Sequence, residues 1–135
     1  MSTGASFLES ENFWISNNKV ELGRRGEQLV IELLQNQGFC LRERNLRTPF
    51  GEIDIIGSFD STLLIIEVKT RHKTSLENSI ALNFVGRVQL QRLKRAATWI
   101  WQREGRSFAK MRCGLVVVTE CGIRWFNLPL LYDQC

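Results

Sequence analysis

The chain has 135 residues, 44% of them hydrophobic and 24% charged, proportions that fit one globular domain able to bury a core without cross-links. The longest apolar runs, Leu63 to Ile66 and Leu115 to Val118, are far too short to span a bilayer, and no basic stretch followed by an apolar one opens the chain. Membrane and secretory classes are therefore set aside and a cytoplasmic protein is expected. Cys40, Cys113, Cys121 and Cys135 form no Cys-x-x-Cys pair and His72 is the single histidine, which argues against zinc and for reduced thiols.

Residues 1 to 20 are rich in Ser, Asn and Gly and lack periodicity, so they read as a poorly ordered tail with at most a docking turn at Phe13-Trp14-Ile15. Residues 21 to 135 read as the folded domain. From Glu21 to Gln37, the residues Leu22, Gly26, Leu29, Val30, Leu33 and Leu34 make one helical stripe, which Gly38 ends. A strand is expected from Phe39 to Arg44, a turn at Thr48-Pro49-Phe50-Gly51, and a second strand from Glu52 to Gly57. After another turn at Ser58 to Ser61, the segment Thr62 to Arg71 is the strongest strand. Its apolar residues alternate onto both faces, which places it at the centre of a sheet. Residues 72 to 84 read as a loop and Val85 to Glu104 as a long amphipathic helix. Val85, Leu93, Ala96, Ala97 and Ile100 lie on its apolar face, with Arg87, Lys94 and Arg95 opposite and Arg92 near the edge. Met111 to Thr119 and Ile123 to Leu128 close the chain as a hairpin. The whole is an α/β arrangement.

Period-2 geometry puts Glu52, Asp54 and Ile56 on one face of the second strand, with Ile53 and Ile55 on the other. Glu67, Lys69 and Arg71 share a face of the third. Twelve residues separate Asp54 from Glu67, enough for an antiparallel hairpin that sets the two carboxylates side by side. Charges embedded in such apolar strands are costly unless paired or bound to a metal. Adjacent carboxylates repel each other, and a hard divalent cation relieves both problems. Magnesium suits one or two carboxylates, and the Val68 backbone carbonyl offers a further oxygen. Lys69 projects to the same side and can stabilise charge on a phosphoryl group. Glu27 flanks the apolar stripe of the first helix and leans toward Asp54, while Gly26 permits close approach of helix to sheet. The competing reading of Glu67 and Lys69 is a simple ion pair on a strand. The basic excess lies outside residues 1 to 20 and is compatible with a polyanionic partner. Arg44, Arg47 and Arg71 flank the carboxylates and suit phosphate contacts, and Arg87, Arg92, Lys94 and Arg95 either extend that track or form a solvated helix face.

The pattern Asp54-x12-Glu67-Val68-Lys69 resembles the core of the PD-(D/E)xK nuclease superfamily. With Gly23-x-x-Gly26-Glu27, Arg44-Asn45-Leu46-Arg47, Gly51-Glu52-Ile53-Asp54 and Glu67-Val68-Lys69-Thr70-Arg71, the chain more closely resembles the YraN-like bacterial family, itself similar to archaeal Holliday junction resolvases. The resemblance covers about residues 20 to 128. It implies a restriction-endonuclease-like fold, a central mixed sheet flanked by helices. It also implies Glu27, Asp54 and Glu67 as metal-associated carboxylates, Lys69 as the catalytic lysine, and a magnesium-dependent endonuclease acting on DNA, with manganese as a substitute metal. The superfamily's Pro-Asp pair is replaced by Ile53-Asp54, and Gln89 stands where the family often has lysine. A homodimer is expected by analogy with the resolvases. The alternatives left open are a non-catalytic nucleic-acid-binding or repair-scaffold protein and a nuclease directed to RNA.

Overall fold

In the computed structural model, the described residues are 11–14, 18–72, 87–104 and 107–128. A short helix α1 (Glu11–Trp14) precedes a long one, α2 (Lys19–Gln35). Three strands follow: β1 (Cys40–Thr48), β2 (Gly51–Phe59) and β3 (Thr62–Thr70). Helix α3 (Arg87–Glu104) leads to β4 (Lys110–Thr119) and β5 (Gly122–Leu128). The five strands lie in the order β1-β2-β3-β4-β5, antiparallel except for the β3–β4 pair, which is parallel. A parallel pair needs a crossover, and α3 lies in that connection. The central position expected for Thr62 to Arg71 is the one β3 occupies.

Helix α2 begins two residues earlier than the periodicity suggests. Asn18 is its N-cap, with extended backbone and a side-chain oxygen that accepts from the Val20 N–H at 2.9 Å. Gly38, at φ +103°, takes the left-handed conformation expected of it. The Phe39 N–H returns to the Leu34 carbonyl at 3.0 Å, satisfying an end-of-helix acceptor. The predicted strand Phe39 to Arg44 runs on to Thr48, because β1 pairs with β2 as far as Thr48↔Gly51. Val85, placed on the second long helix by the sequence pattern, lies outside the described residues. Leu93, Ala96, Ala97 and Ile100 of that helix are buried as expected.

The sheet carries a core on each face. On one, α2 lays Leu22, Leu29, Val30 and Leu34 over Ile55, Ile66, Val68, Val116 and Val118, and Phe13 of α1 is buried with them. On the other, α3 covers Ile53, Ile56, Leu63, Ile65, Met111 and Cys113. Placing Ile53 and Ile55 together on one face of β2 is corrected here: they belong to opposite cores. The alternation breaks at Asp54. The β2–β3 ladder ends at Ile55↔Ile66, and across β2 lies Asn45, at φ +51°. Beyond Ile55 the strand turns over, and a carboxylate rather than a backbone carbonyl meets β3.

Candidate metal and nucleic-acid site

The place where β2 parts from β3 is where the charged residues gather. Asp54 Oδ2 accepts the Val68 N–H at 2.7 Å. Its side chain thus replaces the ladder bond that β2 no longer supplies, and this fixes the carboxylate against the middle of Glu67-Val68-Lys69. Glu67 is 8% exposed in the wall of the site. Loss of water, then the hydrogen bond and the charge of the neighbouring Asp54, push its pKa up to about 8, while Lys69 and Arg92 pull it down. Arg92 reaches across from α3, with Nη2 at 2.6 Å from Glu67 Oε2 and Nη1 at 3.2 Å from the Glu52 carbonyl. Its guanidinium passes over Gly51, where φ is +122° and a Cβ would stand 2.5 Å from Arg92 Nη1.

From the other face, α2 contributes Glu27. Desolvation and then the Asp54 charge raise its pKa to about 7, with Glu52 adding to the rise and Arg44 and Arg24 opposing it. With its amide nitrogen turned toward the carboxylates, Asn45 donates to Glu27 Oε1 at 3.1 Å and to Glu52 Oε1 at 3.3 Å. The left-handed backbone of Asn45 brings that amide inward. Helix α2 sits close because Gly26 has no side chain; a Cβ there would collide with Thr70 Oγ1.

Glu27, Asp54, Glu67 and Lys69, from three separate elements, therefore meet at one end of β3. Of the arginines expected to contact phosphate, Arg44 is exposed beside the site, Nη1 donating to Gln28 Oε1 at 2.7 Å. Arg47 is exposed one step farther along β1, opposite Glu52 in the ladder. Arg71 lies beyond the end of β3 with Nη1 bonded to the Thr70 carbonyl at 2.9 Å. Arg87 is the first residue of α3, and its side chain lies outside the described residues. Sequence reasoning left Arg92 at a helix edge and did not single out Asn45. The first needed the placement of α3 over β2. The second carried a signal, since asparagine inside a strand is a candidate for left-handed backbone.

The residues fit a hard divalent cation in donor chemistry. Two oxygen acids in contact, one of them deeply buried and reluctant to ionise, are what such a cation neutralises. Among the described residues no group of three or more His, Cys, Asp or Glu side chains is arranged to hold an ion. The pair in contact, Asp54 and Glu67, offers the number of carboxylates that magnesium commonly takes.

Five mixed strands flanked by two helices, with carboxylates at a strand split, define an α/β fold consistent with the restriction-endonuclease-like arrangement. The sequence profile described as "Uncharacterised protein family UPF0102" matches residues 26–118, and the chain belongs to this family, the YraN-like one. The UPF0102 protein of Dictyoglomus thermophilum is 36% identical over 102 residues, covering 76% of this chain and 84% of its own. That of Desulfosudis oleivorans is 37% identical over 102 residues (76% and 81%), and that of Paenarthrobacter aurescens 38% over 115 residues (84% and 93%).

Proposed function

We propose that this protein is a metal-dependent endonuclease that hydrolyses phosphodiester bonds in DNA, with branched or repair intermediates as its substrates. The observation that carries this reading is the contact of Asp54 with the buried Glu67 where β2 leaves β3, with Lys69 two residues on. Asp54 and Glu67 would hold magnesium, or manganese in its place, with the Val68 carbonyl as a further oxygen donor and Glu27 beside them. A divalent cation there supplies Lewis acidity toward the phosphodiester and a nucleophile at neutral pH. The chain's own residues do the rest. Asp54 is locked in orientation by the Val68 N–H. Lys69 has no ion-pair partner among the described residues and can stabilise the charge that builds on the phosphoryl oxygens. Arg92 holds the Glu67 carboxylate in place. Arg44 and Arg47 stand outside the carboxylates, where they can meet flanking phosphates.

The test is cleavage of linear, single-stranded, flapped and four-way DNA with magnesium, manganese or chelator. Asp54→Asn and Lys69→Ala should each cut at least about 100-fold more slowly than wild type while keeping its thermal stability. Cutting that survives both substitutions sinks the assignment. A second reading, a non-catalytic nucleic-acid-binding protein on the same fold, draws on the engagement of Glu67 by Arg92 and on the carboxylate count of two. Salt-sensitive DNA binding with no cleavage under any metal selects it.

A further inference from the structure

A second concave feature adjoins the carboxylates at the same end of β3. It is a cleft of about 450 Å³ between the first turns of α2 and the end of β3, lined by Lys19, Leu22, Gly23, Val68, Lys69, Thr70, Arg71 and His72. Three basic residues and a histidine are among its lining: Lys19 at the helix N-terminus, Lys69 and Arg71 at the strand end, and His72. Lys19 and Lys69 have no ion-pair partner among the described residues. Thr70 is 6% exposed, and its hydroxyl is buried with no hydrogen-bond partner among them. His72 is held by Glu120, Nδ1 to Oε2 at 3.2 Å, and its ring lies 5.2 Å from that of Trp14.

Like charges gathered in a concavity repel each other, and the arrangement is relieved by an anion. The N-terminal end of α2 adds a partial positive charge of the same sign. A phosphate group suits this donor set: the guanidinium of Arg71 and the ammonium groups of Lys19 and Lys69. The cleft is also in line with the carboxylates. Gly23 and Glu27 are four residues apart on α2, so the two features are about one helical turn, roughly 5.4 Å, apart along that helix. Lys69 belongs to both.

We propose that this cleft is a phosphate subsite that takes a phosphate group of a nucleic-acid strand adjacent to the one at the carboxylates. The naming of a nucleic-acid strand rests on the nuclease reading; the capture of phosphate does not. Lys19 is the residue that separates the two, since it lines the cleft and has no part in the carboxylate site.

The chain's single histidine gives a direct reporter, because the imidazole C2–H resonance of His72 is unique in the proton spectrum. The full chain is titrated at fixed pH, fixed ionic strength and with EDTA, replacing chloride by inorganic phosphate, by a nucleoside monophosphate, or by a dinucleoside monophosphate. Saturable movement of the resonance is expected with inorganic phosphate and at least one ester. Lys19→Glu should weaken that binding by about tenfold or more. If Lys19→Glu does not fold, Arg71→Gln takes its place. Saturation by the mononucleotide alone assigns the cleft to strand ends, and saturation by both esters assigns it to phosphates along a strand. A resonance that stays still, or moves equally in the variant, overturns the cleft. No metal or cleavage enters this measurement. A silent histidine therefore leaves the nuclease reading standing, and a protein that captures phosphate but cuts no DNA loses that reading and keeps the cleft.

Discussion

Glu27 and Glu67 are carboxylic acids held above their ordinary range, both mainly by loss of water and next by Asp54. In the unfolded chain both titrate near 4.5; in the fold they do so at about 7 and about 8. Between those limits the native state binds more protons than the unfolded one, so stability falls as pH rises. Their contribution is complete below about 4.5 and gone above about 8. Glu27→Gln removes one of these ionisations. Without metal, its melting temperature should exceed that of wild type at pH above 8 by several degrees, at about 3–5 °C per kcal/mol for a domain of this size. The two should converge as pH falls below about 4.5. Magnesium should raise the wild-type value most at the alkaline end, where both carboxylates are ionised and the cation relieves them. Calorimetry across pH, with and without metal, checks both signs. An alkaline stability maximum without metal would refute the account of the site as strained by charge.

At the scale of elements, the close approach of α2 to β3 positions Glu27 over Asp54, and Gly26 against Thr70 allows that approach. Gly26→Ala gains about 1 kcal/mol of helix propensity but forces a Cβ into the Thr70 side chain, an overpacking that costs roughly 1–3 kcal/mol. Net destabilisation is expected. Thr70→Ala in the same chain should restore most of the loss, because it removes the colliding hydroxyl, a group with no hydrogen bond among the described residues to forfeit. Chemical denaturation of the two single variants and the double reads the coupling; additive effects would mean that the two residues do not meet. The same elements show what the sequence discloses. Helices α2 and α3 and the central place of β3 are written in hydrophobic periodicity, and Leu93, Ala96, Ala97 and Ile100 are buried as that pattern says. Asp54 and Glu67 meet because twelve residues fit a hairpin. The reversal of β2 at Asp54 is not written there. It depends on Asn45 of the neighbouring strand taking φ +51° and on Asp54 finding the Val68 N–H. Arg92 is equally hidden, since its reach to Glu67 is set by how α3 lies across the sheet and not by its place on the helical wheel.

For the molecule as a whole, charge is sorted around one end of the sheet. Carboxylates fill the split between β2 and β3, Arg44 and Arg47 stand outside them on β1, and Lys69 and Arg71, with Lys19 from α2, lie at the end of β3. The net charge of +4 is modest, so its distribution must carry any affinity for a polyanion. If DNA lies across this end, phosphate contacts from both flanks should appear as release of condensed counterions. Each contact contributes about −0.9 to the slope of log affinity against log salt for duplex DNA. Replacing Arg44 and Arg47 together by alanine should flatten that slope by up to about 2. It should weaken binding evenly across base sequences, because contacts to phosphate carry no sequence information. The measurement is fluorescence anisotropy with a labelled duplex in chelator over a range of salt. A slope that does not change would remove β1 from the binding face and leave the cations at the end of β3 to bear the strand.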